Sequence, residues 1–508
     1  MNKQGFHCIL ASIIIVLAGC SAGGGETGTG AQPTVTVGVI TGFGSVFVNG
    51  VEFETDNSTI TLDDTTSTEN DLKVGMVVTL AGDVNADGTT GNALSISFDD
   101  NVEGMVLANN VATSNELIIL GQTVIVDSFD TVFESAIPEI QTIEQIEVNN
   151  IVEVSGHTSG DGVIYATRIE VKQQARTEGD EIELEGLVSN ITASTFEIGS
   201  MTIEYSAAVM KDFDGADIQN GDFVEVKSIS DLDANSQLIA SEVELKEQYK
   251  AVQDLSEDRE VELEGIITAV ENSTQFSLNG QVVVHDSATE ISDIHSIVVG
   301  KKAKVEGVVN AANQIVANEI EIKSENKTKI EGLITAINSE TKTITVFGDE
   351  ISITNSTTVK DERDGIEDNA RHFFNFSDLS IGDFVEVSYF LDTELNTLVA
   401  TKLELEDVEE DDSGSDDDNS NDDEQNNEWE IKNIIAAYNP DANTIEILNR
   451  TIDISNIEDF EGQSAVGKLA EVQGVIVNDI WVATELEIED EDDPAEKQGA
   501  EDEDDEGE

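Results

Sequence analysis

The residues whose types and spacing best suit metal binding lie in one short acidic segment, residues 83–88, which reads Asp-Val-Asn-Ala-Asp-Gly. Side-chain oxygens at alternate positions, followed by a glycine that permits a sharp turn, suit a hard cation such as calcium. The twelfth position holds Leu94, where calcium loops of this spacing place a bidentate glutamate. A hairpin turn rich in Asp, Asn and Gly accounts for the same residues without a ligand and is the favoured interpretation. Calcium, held by Asp83, Asn85 and Asp87, is still the one cofactor that the sequence suggests.

Trp429 and Trp481 are the only tryptophans of the chain, and both lie near its C-terminal end. An exposed pair of indole rings could stack on a ligand, which makes the two residues a candidate binding site. The alternative is that both rings belong to a hydrophobic core. Aromatic residues make up only 5% of the chain, which is low for a module that stacks on sugars or bases.

Catalytic chemistry has little support in the sequence. The histidines beyond residue 20 are scattered, at His157, His285, His295 and His372. The chain contains no Gly-x-Ser-x-Gly, His-Glu-x-x-His or phosphate-binding Gly-x-x-x-x-Gly-Lys-Ser/Thr motif. We therefore expect no catalytic residues and a protein that is not an enzyme. A hydrolase that uses acidic residues remains a less favoured hypothesis, with the acidic segment 361–372 as its one candidate site.

The charge balance excludes another class of function. The 508 residues include 25 Lys and Arg against 106 Asp and Glu, which gives a formal net charge of −81. A polyanion of this density does not bind nucleic acid by neutralising its phosphates. Twelve acids and no base fall in residues 407–428, and 13 acids and one lysine fall in residues 489–508. Because runs of like charge repel themselves, we predict a disordered acidic linker and a disordered acidic tail.

The N-terminal residues have the pattern of a targeting segment. Residues 9–17 form an apolar stretch that is too short to span a bilayer. The stretch closes on Leu17-Ala18-Gly19-Cys20, which resembles the lipobox of bacterial lipoproteins. The resemblance implies cleavage before Cys20, lipid on its thiol and, with Ser21 following, anchorage in the outer membrane, facing the periplasm or the cell surface. An ordinary signal peptide with an incidental cysteine is the alternative.

Three anchors recur in order six times between residues 35 and 489. The last anchor is an Ala-x-x-Φ-x-Φ segment, where Φ is aliphatic or phenylalanine, and it begins at Ala93, Ala166, Ala240, Ala317, Ala400 and Ala483. Upstream lies a strand opened by glycine or, in the second copy, by Asn149, and both residue types tolerate positive φ. The first anchor is a glycine-led segment followed by a tight hairpin, and the sixth copy enters it through Asn433 instead of glycine.

The alternation of apolar and polar residues in these segments predicts half-buried strands. The alanine of the last anchor is out of phase with the two Φ residues, so it either marks a bulge or faces the other side. Five of the six copies carry glutamate between the two Φ residues, on the face that we expect to meet solvent.

Units of 60–80 residues with about five short strands predict an all-β fold. We expect a tandem array of six small five- to six-stranded barrels of oligonucleotide-binding-fold or SH3-like type, arranged in line. A continuous β-solenoid is the alternative, although the unit is long for a solenoid coil. The predicted segments are a signal peptide (1–20), a flexible tether (21–34), repeats 1 to 5 (35–99, 100–172, 182–246, 260–323 and 329–406), an acidic linker (407–428), repeat 6 (429–489) and an acidic tail (490–508).

The opening copy reads GVITGFGSVFVNGV at residues 38–51 and LKVGMVV at residues 72–78. It resembles the bacterial envelope repeat known as domain of unknown function 5666, and the resemblance covers most of residues 35–406. It implies a fold and an envelope location but no activity. We expect a non-enzymatic, lipid-anchored scaffold or binding array that meets the membrane through Cys20 and a protein or polysaccharide partner in the envelope. A calcium-dependent adhesion or matrix protein is the alternative.

Overall fold

The structure is a computed structural model, and it describes residues 33–213, 215–246, 255–292, 296–323, 327–363, 374–392, 395–407, 428–457, 460, 462–477 and 480–489. Cys20, the predicted tether up to residue 32, residues 408–427 of the predicted linker and the acidic tail lie outside the described residues. Across the described ranges, no helix combines the length and the apolar character needed to cross a membrane.

The first repeat is built from seven strands. They are β1 (Thr34–Phe43), β2 (Val46–Val48), β3 (Val51–Glu54), β4 (Thr59–Leu62), β5 (Thr65–Ser67), β6 (Val77–Val84) and β7 (Thr90–Phe98). Five of them close a ring, because β1 pairs with β2, β2 with β3, β3 with β7, β7 with β6 and β6 with β1. The ring encloses alternate apolar side chains of its strands, among them Ile40, Phe53 and Leu80, and is therefore a small barrel with a packed core.

The other units have the same order of strands. The second repeat contains β8 (Val102–Asn110), β9 (Glu116–Ile119), β10 (Gln122–Val126), β11 (Val132–Ser135), β12 (Ile151–Thr158) and β13 (Ile164–Gln173). The third contains β14 (Ile182–Leu187), β15 (Thr195–Ile198), β16 (Met201–Glu204), β17 (Val209–Lys211), β18 (Phe223–Ser228), β19 (Leu238–Ile239) and β20 (Glu242–Lys246). The fourth contains β21 (Glu260–Asn272), β22 (Gln275–Leu278), β23 (Gln281–Val284), β24 (Glu290–Ile291), β25 (Lys302–Val309) and β26 (Ile315–Ile322).

The fifth repeat and the last segment complete the set. The fifth repeat contains β27 (Lys327–Asn338), β28 (Thr343–Val346), β29 (Asp349–Ser352), β30 (Thr358–Asp361), β31 (Phe384–Asp392) and β32 (Thr397–Glu406). The last segment contains β33 (Glu428–Ile434), β34 (Ala437–Asn439), β35 (Thr444–Ile447), β36 (Arg450–Asp453), β37 (Leu469–Val477) and β38 (Ile480–Glu489). The helices in the described ranges are short: α1 (Val111–Ser114) and 3₁₀ turns at Glu69–Asp71, Ile143–Gln145, Phe376–Asp378 and Gly462–Ala465.

The ring of five pairings recurs in the second, fourth and fifth repeats. In the third repeat the last strand is divided into β19 and β20, and a bridge between Ser189 and Glu197 joins the hairpin to the strand before it. In the last segment β33, β37, β38, β36 and β35 pair in that order. The predicted order of strand, hairpin, strand, connector and two final strands is therefore present.

The residue that opens the penultimate strand has the left-handed backbone conformation that the sequence predicts. Asn149 has φ 77° and Gly75 has φ 88°. Their N–H groups donate to the carbonyl oxygens of Val106 (2.9 Å) and Ile40 (2.8 Å) in the opening strands. The turn therefore brings β12 and β6 alongside β8 and β1.

A β-bulge follows the alanine of the last strand. The bulge explains why this alanine is out of phase with the two Φ residues that come after it. Ala81 pairs with Ser95 and Gly82 pairs with Ala93, so Leu94 is the extra residue. The same shift follows Ala166, Ala317, Ala400 and Ala483. The bulge bends the strand, so that its first half pairs with β3 and its second half with β4.

The repeats are not arranged in line, contrary to our expectation. Opening strands of different repeats pair with each other: β1 with β21 in parallel, and β8 with β14 and β27 with β33 antiparallel. Apolar cores continue across these pairs, one through the second and third repeats and one through the fifth repeat and the last segment. Val35 of the first repeat packs into the core of the fourth. The described residues from Pro33 onward thus belong to one compact unit.

Candidate functional site

A row of four glutamates crosses the sheet that joins the second and third repeats. Glu103 on β8 lies directly opposite Glu153 on β12 and Glu183 on β14. Glu153 lies in turn opposite Glu170 on β13. Like charges directly opposite each other destabilise a sheet. Of these four residues only Glu170 belongs to the glutamates that we expect on a solvent face, and its neighbour Glu153 is buried, so this face is not freely solvated.

Two lysines compensate the ends of this row. Lys172 Nζ lies 2.8 Å from Glu153 Oε2 and 3.5 Å from Glu170 Oε1. Lys227 Nζ lies 3.0 Å from Glu183 Oε1. In the part of the chain that the structure describes, no ion pair reaches the carboxylate of Glu103 at the centre.

Two aspartates complete the cluster. Asp100 precedes β8 and is only 5% exposed, and its N–H donates to Asp63 Oδ1 of the first repeat at 3.3 Å. Within the described ranges, no hydrogen bond or ion pair reaches the Asp100 carboxylate. Its oxygens lie within 4.8 Å of carboxylate oxygens of Asp63 and Glu183 in one triad, and of Glu103 and Glu153 in another. We call Asp63, Asp100, Glu103, Glu153 and Glu183 the acidic junction.

The environment of the acidic junction favours the neutral form of its carboxyl groups. Burial raises the pKa of Asp63 to about 6, and repulsion from Glu153 adds to the rise. Burial also raises the pKa of Glu103 to about 7, against an opposing attraction from Lys172. The pKa of Glu183 rises to about 8 by burial, although Lys227 lowers it. Burial, followed by repulsion from Glu153, places the pKa of Asp100 well above its usual range.

Two other acidic triads of the described residues differ in one respect, since each contains a lysine. Glu331, Glu386 and Glu430 surround Lys329, whose Nζ lies 3.2 Å from Glu386 Oε2 and 2.6 Å from Glu430 Oε1. Lys246 occupies the same role among Asp64, Glu225 and Glu244, at 3.0, 2.6 and 3.6 Å. The acidic junction therefore stands apart, because within the described residues no lysine pairs with Asp63, Asp100 or Glu103.

The predicted calcium residues lie elsewhere, in the hairpin between β6 and β7. Asp87 Oδ1 accepts the backbone N–H groups of Thr89 and Thr90, both at 3.0 Å, and the Thr90 hydroxyl. Asn85 Nδ2 donates to Thr90 Oγ1 at 2.8 Å. These bonds are those of an Asx turn, which is the favoured alternative, while a calcium site at Asp83, Asn85 and Asp87 stays a prediction.

The two tryptophans come together in the last segment. Their ring centroids lie 4.8 Å apart, and Trp481 also meets Phe347 of the fifth repeat at 4.9 Å. The Arg450 guanidinium lies 5.5 Å from the Trp481 ring centroid. Trp429 is 2% exposed and belongs to the core, so the arrangement favours the core interpretation over an exposed stacking pair.

The histidines do not assemble a catalytic group in the described residues. His157 is buried, and its pKa falls to about 4 because burial disfavours the charged ring. His285 is buried in the fourth repeat against Phe276, with ring centroids 6.3 Å apart. His295, His372 and residues 364–373 of the connector proposed for a hydrolase lie outside the described residues.

The acidic junction was missed at the sequence level. Its residues come from three repeats and are separated by up to 120 positions, so no local spacing marks them. The one local signal is Asp99-Asp100 immediately before an opening strand that itself carries Glu103.

Fold and repeated anchors together define a protein built from small, fused β-barrel repeats. The model of the family described as domain of unknown function (DUF5666) matches residues 35–96, 103–170, 185–244, 264–321 and 331–404. The chain belongs to this family. Five copies match, not the six expected, and residues 429–489 lie outside the matches, where Asn433 replaces the opening glycine.

No curated protein matches the chain. Among solved structures, drosophila Unr CSD456 is similar at 14% sequence identity over 44% of this chain and 97% of that chain, with a TM-score of 0.11. At that TM-score the likeness has no bearing on the function of this chain.

Proposed function

We propose that this protein is a non-enzymatic, lipid-anchored envelope protein whose fused barrels form a stiff scaffold or binding array. The observation that carries the proposal is the pairing of opening strands between repeats, β1 with β21, β8 with β14 and β27 with β33. Strand pairing with a shared apolar core fixes the relative orientation of two barrels far better than a linker does. A rigid body of this kind suits presentation of a surface to a partner.

Residues 429–489 are, in this proposal, a divergent sixth copy. The pairing order of β33 to β38 supports this, as does the N–H of Gly467, which donates to Ile435 O at 2.9 Å in the way that Gly75 donates to Ile40. Asn433, at the place of the missing glycine, directs its side chain to the fifth repeat, where Nδ2 donates to Thr328 Oγ1 at 2.6 Å. The substitution therefore serves the contact between the two barrels.

The membrane anchor in this proposal is lipid on Cys20, and the location is the outer membrane of a bacterium, facing the periplasm or the cell surface. The lipobox-like residues 17–20 support it. The net charge of −81 disfavours nucleic acid and favours a protein or polysaccharide partner. A calcium-dependent adhesion or matrix protein is the second candidate, and the acidic junction is the observation that favours it.

Two measurements test the proposal. Replacing Cys20 by Ala should abolish lipid addition and release the protein from the membrane fraction, and unchanged retention of the variant would contradict the anchor. Small-angle X-ray scattering should give a radius of gyration for the folded repeats near ~25 Å, as expected for a compact chain of this length. A value above ~40 Å, expected for barrels in a line of about 150 Å, would contradict the fused scaffold.

A further inference from the structure

We propose that the acidic junction binds a divalent cation of the calcium type, with Asp100 as the ligand common to both of its triads. The cation would join the first three repeats, because Asp63 belongs to the first repeat, Glu103 and Glu153 to the second and Glu183 to the third.

The buried carboxylate of Asp100 is the observation that points to a ligand. A carboxylate largely removed from water needs a counter-charge, strong donors or a proton. Asp100 is 5% exposed and, in the described part of the chain, receives neither a hydrogen bond nor an ion pair on its carboxylate. Its four neighbours are themselves carboxylates, so a cation would convert repulsion into coordination.

The spacing of the oxygens fits this role. Calcium binds oxygen ligands at about 2.3–2.6 Å, so two ligands on opposite sides of one ion lie about 4.8 Å apart. The carboxylate oxygens of each triad lie within 4.8 Å of one another. The three carboxylates of one triad supply up to six oxygens when they bind through both oxygens, and water can complete the six to eight that calcium prefers. The junction contains no His or Cys, which disfavours zinc and copper.

The charges facing the junction leave room for a cation. Lys172 is held by Glu153 and Glu170, and Lys227 by Glu183 and Glu225 at 2.6 Å. Both lysines therefore neutralise the outer ends of the row, and neither bonds to Asp100, Glu103 or Asp63. In the triads around Lys329 and Lys246, by contrast, an ammonium group already fills the place of the ion.

The test is calcium binding by the purified full chain, stripped with a chelator and dialysed against radioactive calcium at about pH 8 and ~0.15 M NaCl, where salt suppresses diffuse association. We expect one saturable tight component above the diffuse background. Asp100→Asn should weaken it ~10-fold or more, since loss of an outer partner alone costs that much at metal sites. Glu331→Gln, in the triad that holds Lys329, and Asp87→Asn, in the surface hairpin, are matched controls and should leave it intact.

Thermal melts of the same proteins test calcium binding by a second measurement. Calcium should raise the melting temperature of the wild type more than magnesium or NaCl at equal ionic strength, because a ligand of the native state stabilises it by mass action. Asp100→Asn should melt no lower than wild type without metal, since the amide is neutral and cannot repel the neighbouring carboxylates, and it should lose the stabilisation by calcium. Glu103→Gln serves as the second variant if Asp100→Asn does not fold.

Three outcomes would overturn the proposal. One is a tight component that survives Asp100→Asn and Glu103→Gln. Another is a component lost with Asp87→Asn alone, which would assign calcium to the hairpin. The third is a wild type without any calcium increment, which would mean that the junction is satisfied by protons only. None of these outcomes affects membrane anchorage or the radius of gyration, so they leave the scaffold proposal separately testable.

Discussion

Glu103 and Glu153 lie directly opposite each other in the antiparallel pairing of β8 with β12. Two facing carboxylates oppose strand pairing, yet this pair lies in a sheet that joins two repeats through a common apolar core. The opposite side of the same strands supplies that core, through Val102, Val106, Val152 and Val154. Apolar burial on one face therefore holds the strands in a register that forces acids together on the other.

The metal-free chain should become more stable as the pH falls from about 8 to about 5. Glu103, Glu183, Glu331 and Glu406 have pKa values raised to about 7 or 8, first by burial. In this window the folded chain binds protons that the unfolded chain releases, and each such proton changes the free energy of unfolding by about 1.4 kcal/mol per pH unit. Denaturant titrations across the window measure the slope.

His157 acts in the opposite sense over part of this range. Its pKa of about 4 in the folded chain lies below the unfolded value, so its contribution to stability is lost as the pH falls through about 6.5 to 4. One histidine opposes several carboxyl groups, so the free energy of unfolding should still increase as the pH falls from about 8 to about 5. Stability that rises steadily from pH 5 to 8 without metal would show that the carboxyl pKa values are not raised.

Arg168→Met should strongly destabilise the protein. Arg168 is 2% exposed, pairs with Glu134, and lies 2.8 Å from Glu170 Oε2. Its Nη1 also donates to Val74 O of the first repeat at 3.2 Å. Removing one partner of a buried ion pair leaves the others unpaired and costs about 3–5 kcal/mol. Denaturant midpoints measure the loss.

Arg363→Met is the matched control for this prediction. Arg363 pairs with Asp361 at 2.6 Å, but its side chain is 44% exposed. Exposed pairs contribute about 0–1 kcal/mol, so the control should change stability by no more than that. Equal losses in the two variants would contradict the assignment of Arg168 as a buried connection between repeats.

Much of each barrel could be predicted from local sequence, because its determinants are local. The positive φ of Asn149 and the bulge after Ala93 follow from residue type and from a phase change within a few positions. The packing between barrels could not be predicted in the same way. The pairing of β1 with β21 joins residues more than 220 positions apart. Alternation of apolar and polar residues indicates a half-buried strand but does not indicate which strand pairs with it.

The sequence also could not show whether the strand face opposite the core is exposed to solvent or buried. The sequence pattern predicts a solvent face for Glu404, whereas its side chain is buried and its Oε2 lies 2.7 Å from Lys402 Nζ. A glutamate between two apolar residues has the same sequence pattern whether its carboxylate meets water or a buried lysine. The row of glutamates at the acidic junction arises from that ambiguity, repeated across four strands.

Gly156→Ala should destabilise the second repeat. A Cβ at this position would lie 2.3 Å from the carbonyl oxygen of Tyr165, in the bulged pairing of β12 with β13. The backbone cannot move aside as a flexible side chain can. We therefore expect the free energy of unfolding to fall by about 2 kcal/mol or more. Gly160→Ala is the control, because a Cβ there would come no closer than 3.5 Å to Thr268. A near-neutral Gly156→Ala variant would contradict the close approach at the bulge.

Trp429→Ala should cost about 3–5 kcal/mol, as expected for a large aromatic side chain removed from a core. Trp429→Phe should be tolerated much better, because it keeps the ring beside Trp481 and removes an indole N–H that has no hydrogen-bond partner in the described residues. Tryptophan fluorescence gives a second measure in the Trp481→Phe variant, where Trp429 is the only tryptophan. Its emission should be blue-shifted and poorly quenched by acrylamide, since the residue is 2% exposed. Ready quenching, together with a small effect of Trp429→Ala, would instead return Trp429 to the role of an exposed ligand-stacking residue.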